Sequence, residues 1–473
     1  MKRRVISLLA ILAMLCTMVV FVAPTTTAAE EDYTKYPAFS KYPGSSGDTN
    51  WTINNVNDWK ALINAANNAT GDYLSGHTLH LTTDINFGTT LNPVGYSNKT
   101  GAFAGTINGH GNGIGDFVMK TTADKKNSDK TDNIEDTYDS TTKTSYVGLF
   151  WNLGDCQFID FGLNSGIIYD AGGSVMCAIS SFGRVMPGKT PKFTRVWSSA
   201  ALGTMAKGTA SGLVHTVERN AIKVDVNGFV FDGDIVKTDD LGIDGQWSFA
   251  VSGSTYQTLS SGNKFANIIT DCSSRNGIMN IESGAYTVSR TDESKPTPGV
   301  RTALFNFDTV ANFKKANKGN IYAVKRAKDG VDEGYFLSFR SGYGASGSEE
   351  IMTDMSAAEV AWTINNNQIS DKEKVYYTLK DGKVRPIPAG AQTGKIVKVT
   401  LTGARNDTYF VNSGEEVTLA SALGKTSGQT FTVGGTAISG TTYTFNADTE
   451  ITVSTTCGDN HTYDSSSYVA GTN

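Results

Sequence analysis

The sequence predicts an all-β fold: a right-handed parallel β-helix with an N-terminal capping helix, followed by a small antiparallel β-sandwich-like module. Three observations predict it. The run over 102–114 and the later Tyr146-Val147-Gly148-Leu149-Phe150 alternate apolar residues with glycines, as successive coils of a solenoid do. The composition agrees, because 50 glycines, 10 prolines and 18% charged residues suit many short strands joined by tight corners. Beyond residue 388, short runs rich in Val, Thr, Tyr and Phe recur at regular spacing, which reads as a separate β module.

The chain opens with Lys2, Arg3 and Arg4, an apolar stretch over 5–23 and the small residues Ala28 and Ala29, the layout of a secretory signal over 1–29. Leu15 before Cys16 is too large for a lipoprotein cleavage site, so no lipid anchor is expected. Cleavage makes the formal charge of −5 three units more negative. A mildly acidic surface argues against nucleic acid and against an anionic membrane, and no membrane insertion is expected after cleavage. Cys156, Cys177, Cys272 and Cys457 are too widely and irregularly spaced for a metal knuckle or a dense disulfide scaffold; Cys156 and Cys177 lie about one coil apart, close enough to stack, and read as small buried thiols.

A polar leader over 30–50 precedes a short helix over 57–66, whose Trp59, Leu62, Ile63 and Ala66 share one face. Such a helix before the first coil covers the exposed core and unpaired edges of a solenoid end, with Trp59 as the plug. Leu79, Leu81, Ile85 and Phe87 alternate with polar residues as a half-buried strand, and Ile85 to Ile107 is about one coil. Residues 121–144 are charged and almost free of apolar side chains, an insertion between coils. Apolar runs resume over 157–163, 221–231, 265–269 and 277–281.

Ser356 followed by Glu359 is a capping box that starts a helix carrying Val360, Ala361, Trp362 and Ile364. Two strands over 375–379 and 384–387, joined through Asp381-Gly382, form a hairpin. The helix and hairpin are expected to close the C-terminal end of a β-helix spanning 51–387. A linker over 388–394, the module over 395–456 and a disordered polar tail over 457–473 complete the chain.

Trp59-Lys60-Ala61-Leu62, Leu81-Thr82-Thr83-Asp84-Ile85, Phe103-Ala104-Gly105-Thr106-Ile107-Asn108-Gly109 and Val147-Gly148-Leu149-Phe150, in that order, resemble β-helical surface proteins of Gram-positive anaerobes with glycine-rich G-L-F-G repeats. Glu359-Val360-Ala361-Trp362-Thr363-Ile364-Asn365, with Val375-Tyr376, looks like the unit that follows their solenoid. The final module is similar to the small β-repeats they carry in series. The resemblance covers roughly 55–165 and 355–455. It implies an adhesin or glycan-associated role at the cell surface. Trp151 departs from the pattern by standing where glycine is expected, and no sortase-type sorting signal is visible.

Catalytic signatures are weak. Gly109-His110-Gly111 is similar to a tripeptide near the carboxylates of polygalacturonases, with Asp239-Asp240 as the candidate pair. The order is reversed, however, and no Arg-Ile-Lys follows. Turn glycines flanking a solvent-facing histidine are the simpler reading. Lyase chemistry would draw on Asp232, Asp234, Asp239 and Asp240 with Lys237. Calcium is the only ion with candidate ligands, there or at 329–334, and no other cofactor is expected. His77 and His80 point to opposite sides of a strand and do not share a metal.

Exposed aromatic faces stack on sugar rings, so Trp151, Trp197, Trp247, Tyr335 and Tyr343, with Arg340, are the candidate ligand-binding residues. The expected protein is a secreted or surface-displayed, monomeric, non-catalytic binder of a glycan or host-surface component. A polysaccharide lyase or hydrolase, and a bare structural spacer, are the alternatives. An enzyme predicts three or more carboxylate, Lys or Arg groups converging on one outer face.

Overall fold

A computed structural model describes residues 35–42, 47–98, 100–120, 138–139, 144–170, 176–204, 208–216, 223–237, 248–253, 259–289, 302–307, 309–324, 336–337, 351–391 and 394–455. The predicted signal segment, most of the predicted 121–144 insertion and the predicted C-terminal tail lie outside them. The described residues are mostly β, with two long sheets of parallel strands, a small mixed C-terminal sheet and few helices. One two-residue antiparallel pairing, Tyr138–Asp139 with Thr144–Val147, is the exception within the long sheets.

Parallel pairing repeats lap after lap. Asn50 pairs with Thr78, Thr78 with Thr106, Thr106 with Gln157, Gln157 with Lys192, Lys192 with Asp225 and Asp225 with Lys264. The unequal steps show that loops vary while strands keep register. Register places like on like: Leu79, Ile107, Phe158, Phe193, Val226 and Phe265 follow one another in a single inward column, and all are buried. The Phe158 and Phe193 rings stack 5.2 Å apart, 4° from parallel. A slip of one residue would turn the whole column outward, so apolar alternation fixes register. The sequence-predicted coil from Ile85 to Ile107 needs correction, since Ile107 stacks on Leu79 and Ile85 pairs with Ile114.

The helix Val56–Asn68 starts at Asn55, whose side chain accepts from the Asn57 and Asp58 amides. Its buried face is the predicted one, Trp59, Leu62, Ile63 and Ala66. The Trp59 ring lies 6.1–6.5 Å from those of Phe87, Phe150 and Phe161. Asp58 is buried too, and its carboxylate accepts from the Ser40 and Asn54 amides, which ties the leader to the first strand.

One corner recurs in a left-handed backbone conformation on successive coils: His110, Asp160, Arg195, Gly228, Asn267 and Asn320, with φ between 50° and 91°. Glycine marks it only once. Elsewhere a side chain tolerates the cost of about 1 kcal/mol because it bonds along the stack. Arg195 Nε donates to Asp160 at 2.5 Å, Asn267 Nδ2 to Asn227 Oδ1 at 2.8 Å and Asn320 Nδ2 to Asn267 Oδ1 at 3.0 Å.

The helix Ala357–Asn366 and the hairpin Tyr377–Lys380/Lys383–Pro386 form as predicted, with Asp381 and Gly382 at positive φ in the turn. Their place differs from the expectation. They form a strap along the solenoid flank instead of closing its end. Trp197, Val230 and Ile269 stack on the outer face of one sheet, and Val360, Ala361, Ile364, Val375, Tyr377 and Val384 bury them. The strap follows the left-handed corner: Asn367 O accepts from Asn320, Tyr377 Oη donates to Asn267 O at 2.5 Å, Glu373 pairs with Arg195, and the Ala389 amide donates to Asp160 at 3.2 Å.

The strap's first strand has one edge paired with its hairpin partner and the other clamped by side-chain amides. Gln368 bonds both the N–H and C=O of Val375, Asn365 those of Tyr377 and Asn412 those of Leu379. Amides thus supply the partners a neighbouring strand would. Asn412 belongs to the C-terminal module, so this clamp also joins module to strap.

The module is not an antiparallel sandwich. Its five-stranded sheet sets Ile396–Gly403 beside Thr449–Thr455 in parallel, flanked by antiparallel neighbours, with a separate two-stranded ribbon and the helix Leu419–Leu423. Alternation along each strand reads the same for parallel and antiparallel pairing when one face is buried, which is why the sequence pattern misleads about pairing direction. Leu401, Leu419, Leu423, Phe431, Phe445 and Ile451 form its own core.

Candidate functional site

The two predicted aromatic residues that are described, Trp151 and Trp197, are both buried. Trp197 is 2% exposed beneath the strap, with its indole N–H donating to Asn164 at 2.9 Å. Trp151 is 1% exposed and packs with Tyr146 about the Arg184 guanidinium, which lies 4.2 Å from the Tyr146 ring and 5.4 Å from the Trp151 ring. Neither indole presents a free face to a sugar, which corrects the expectation of exposure. The reason is register: both occupy outward strand positions, but those sheet faces are covered. Trp247, Tyr335, Arg340, Tyr343, Asp239 and Asp240, and the 329–334 turn, lie outside the described residues.

Beside Trp151 sits the buried His215, whose Nδ1 has no hydrogen-bond partner among the described residues. Burial, reinforced by the Arg184 charge, pushes its pKa down to about 3. Among the described residues Cys156 is a buried thiol, as expected, and Cys272 is buried too; burial raises the Cys156 pKa.

The open groove lies elsewhere. Three stacked corners, Ser165-Gly166-Ile167, Ser199 with Ala201, and Asp232-Gly233-Asp234, form its floor, and Gly284, Ala285 and Tyr286 form one wall, around about 430 Å³. Two floor glycines are required by close packing against neighbouring coils. A side chain at Gly233 would meet the Ala200 carbonyl at 2.0 Å, and one at Gly166 the Phe117 ring at 2.5 Å. The wall is the tip of the antiparallel hairpin Ile278–Glu282/Ala285–Ser289. Strap residues Lys383 and Arg385 approach Asp232 in the floor.

Two carboxylates are held firmly. Asp232 accepts from the Ser199 hydroxyl at 2.6 Å and from Arg385 at 3.0 Å, while Arg385 also donates to Ser199 at 2.6 Å. Asp234 accepts from the Ser273 and Tyr286 hydroxyls, with Arg275 at 3.6 Å. Burial is the main cause that raises the Tyr286 phenol, and its bond to the Asp234 carboxylate adds to it, so the ring stays a neutral donor. Asp232 and Asp234 were among the sequence candidates. Tyr286, Ser199, Arg275, Lys383 and Arg385 were not, and Lys237 is buried.

His110 has a local role. His80 Nδ1 lies 2.9 Å from His110 Nε2 and His80 Nε2 lies 3.1 Å from Asn50 Oδ1, so His80 donates to Asn50 and accepts from His110. No group of three or more His, Cys, Asp or Glu able to hold a metal occurs among the described residues. No protein-family model matches the chain, and no curated protein or solved structure matches it.

Proposed function

We propose that this is a secreted or cell-surface, adhesin-like protein that recognises glycans without transforming them, on a right-handed, N-terminally capped β-helix. The hand follows the strong preference of crossovers between parallel strands. One observation carries the functional reading: fixed hydroxyl and carboxylate groups, Ser199, Asp232, Asp234 and Tyr286, converge on an open groove. Sugar hydroxyls both donate and accept, so a site of acceptors already held in place loses little entropy on binding them. The half-buried Tyr286 ring adds an apolar surface for a pyranose face. A glycan array followed by calorimetry tests this. Tyr286→Ala is expected to weaken binding tenfold or more with an unchanged circular dichroism spectrum, and an array with no bound glycan would refute the reading.

A second reading has its own support. Asp232, Asp234, Arg275, Lys383 and Arg385 gather on one outer face, the convergence expected of a polysaccharide lyase or hydrolase. Against it, both carboxylates are already engaged by hydroxyl and guanidinium partners, which suits fixed recognition better than proton transfer. Release of shortened or unsaturated oligosaccharide, lost in Asp234→Asn, would favour this reading.

A further inference from the structure

We infer, building on the glycan-binding reading of the groove, that its ligand is an acidic glycan whose carboxylate or sulfate groups lie against Lys383 and Arg275. The carboxylates and the cations differ in depth. The side chains of Asp232 and Asp234 are 10% and 22% exposed, whereas those of Lys383 and Arg275 are 48% and 49% exposed. Negative charge is therefore sunk in the floor and positive charge stands at the rim. The sunk carboxylates have closer partners: Asp232 is bonded by Ser199 and Arg385, and Asp234 by Ser273 and Tyr286.

The rim cations are held in place without being used up. Lys383 Nζ stands 3.8 Å from Asp232, and Arg275 Nη2 stands 3.6 Å from Asp234, too far for a hydrogen bond in either case. An ammonium carries three donors and a guanidinium five, so both retain donors for an incoming anion. The two come from different elements. Lys383 is on the strap hairpin and Arg275 on the strand Ser273–Asn276, each beside one of the two floor carboxylates. In a chain of net charge −5, a cationic rim around this groove is a local reversal of sign. A polymer with regularly spaced anions and free hydroxyls satisfies rim and floor together, which a neutral glycan does not.

The test compares matched probes on the full secreted chain: polygalacturonate against its methyl ester, and dermatan sulfate against its desulfated form. Lys383→Gln and Arg275→Gln, both half-exposed and outside the core, are measured alongside. The inference expects at least one acidic probe to bind tenfold or more tighter than its neutralised partner at low salt. It expects that preference to shrink severalfold in each variant, and to weaken with added salt. The uronate and sulfate arms identify which anion is read. Equal binding of charged and neutralised forms overturns the inference while leaving glycan recognition standing. A preference unchanged in both variants places the anion elsewhere and also overturns it. Binding to no probe and to nothing on a neutral array overturns the underlying reading as well.

Discussion

One corner of the solenoid and the C-terminal module handle left-handed backbone in opposite ways. Along the solenoid corner His110, Asp160, Arg195, Asn267 and Asn320 all adopt positive φ, with Gly228 the single glycine. In the described module, from residue 395 onward, every residue at positive φ is glycine: 403, 414, 424, 428, 434, 435 and 440. The difference lies in what the side chain does. A solenoid corner recurs on each coil, so a side chain there meets its neighbour above and below and bonds the strap. Most turns of the module face solvent, where a side chain at positive φ would bring cost without a partner. Backbone strain marks the positions where the molecule needs a functional group.

The largest way to break this contrast is Asp160→Ala. It leaves Arg195, 4% exposed, with only the more exposed Glu373 as carboxylate partner, and should cost about 3–5 kcal/mol. Urea denaturation followed by tryptophan fluorescence reads this directly, because the described tryptophans all lie outside the module. An unchanged midpoint would show that the corner ladder does not hold the fold.

Acid comes next. His215 is neutral in the fold but takes up a proton on unfolding below about pH 6.5, so solenoid stability is level above that pH and falls as pH drops towards about 3. The slope is roughly 1.4 kcal/mol per pH unit, hence about 3 kcal/mol by pH 4.5. The module carries no histidine between residues 395 and 455 and should lack this component. His215→Gln flattening the acid limb is the expected result of pH-dependent denaturation.

Gly228→Ala and Gly434→Ala, both at positive φ, sharpen the comparison. At Gly228 the new methyl would stand 2.8 Å from Val375 in the strap, so overpacking adds to the backbone cost and the loss should reach about 2–3 kcal/mol. At Gly434 nothing lies within 4 Å, and only the backbone cost of about 1 kcal/mol remains. Equal melting shifts for the two would contradict the close seating of the strap on the corner.

Much of the fold was legible because burial writes a period into the chain. The inward positions of Leu79, Leu81, Ile85 and Phe87, the face of the 56–68 helix, and the Asp381-Gly382 turn each followed from local rules, although the single strand read over 77–87 is two, Thr78–Leu81 and Ile85–Thr90, parted by a corner. The strap's position did not, although a signal was present. Phe229-Val230-Phe231 and Ile268-Ile269 lack the polar alternation of a strand with one wet face, and unbroken apolar runs mean both faces are covered. The same cover defeated Trp197 as an exposed aromatic. Of the groove, Asp232 and Asp234 were legible as acidic residues close in sequence. Arg385 and Tyr286 were not, since they reach the floor from distant segments and carry no local mark.

The strap also orders events in time. Pro388 rests where a side chain on Gly111 would be, and Ala389 caps Asp160, so coils made early in the chain are sealed by residues made hundreds of positions later. Until those residues exist, the apolar outer ridge of Trp197, Val230 and Ile269 stands bare to water. Contacts of such long sequence separation close slowly. An incomplete chain therefore exposes a sticky surface, and its maturation waits on its final third.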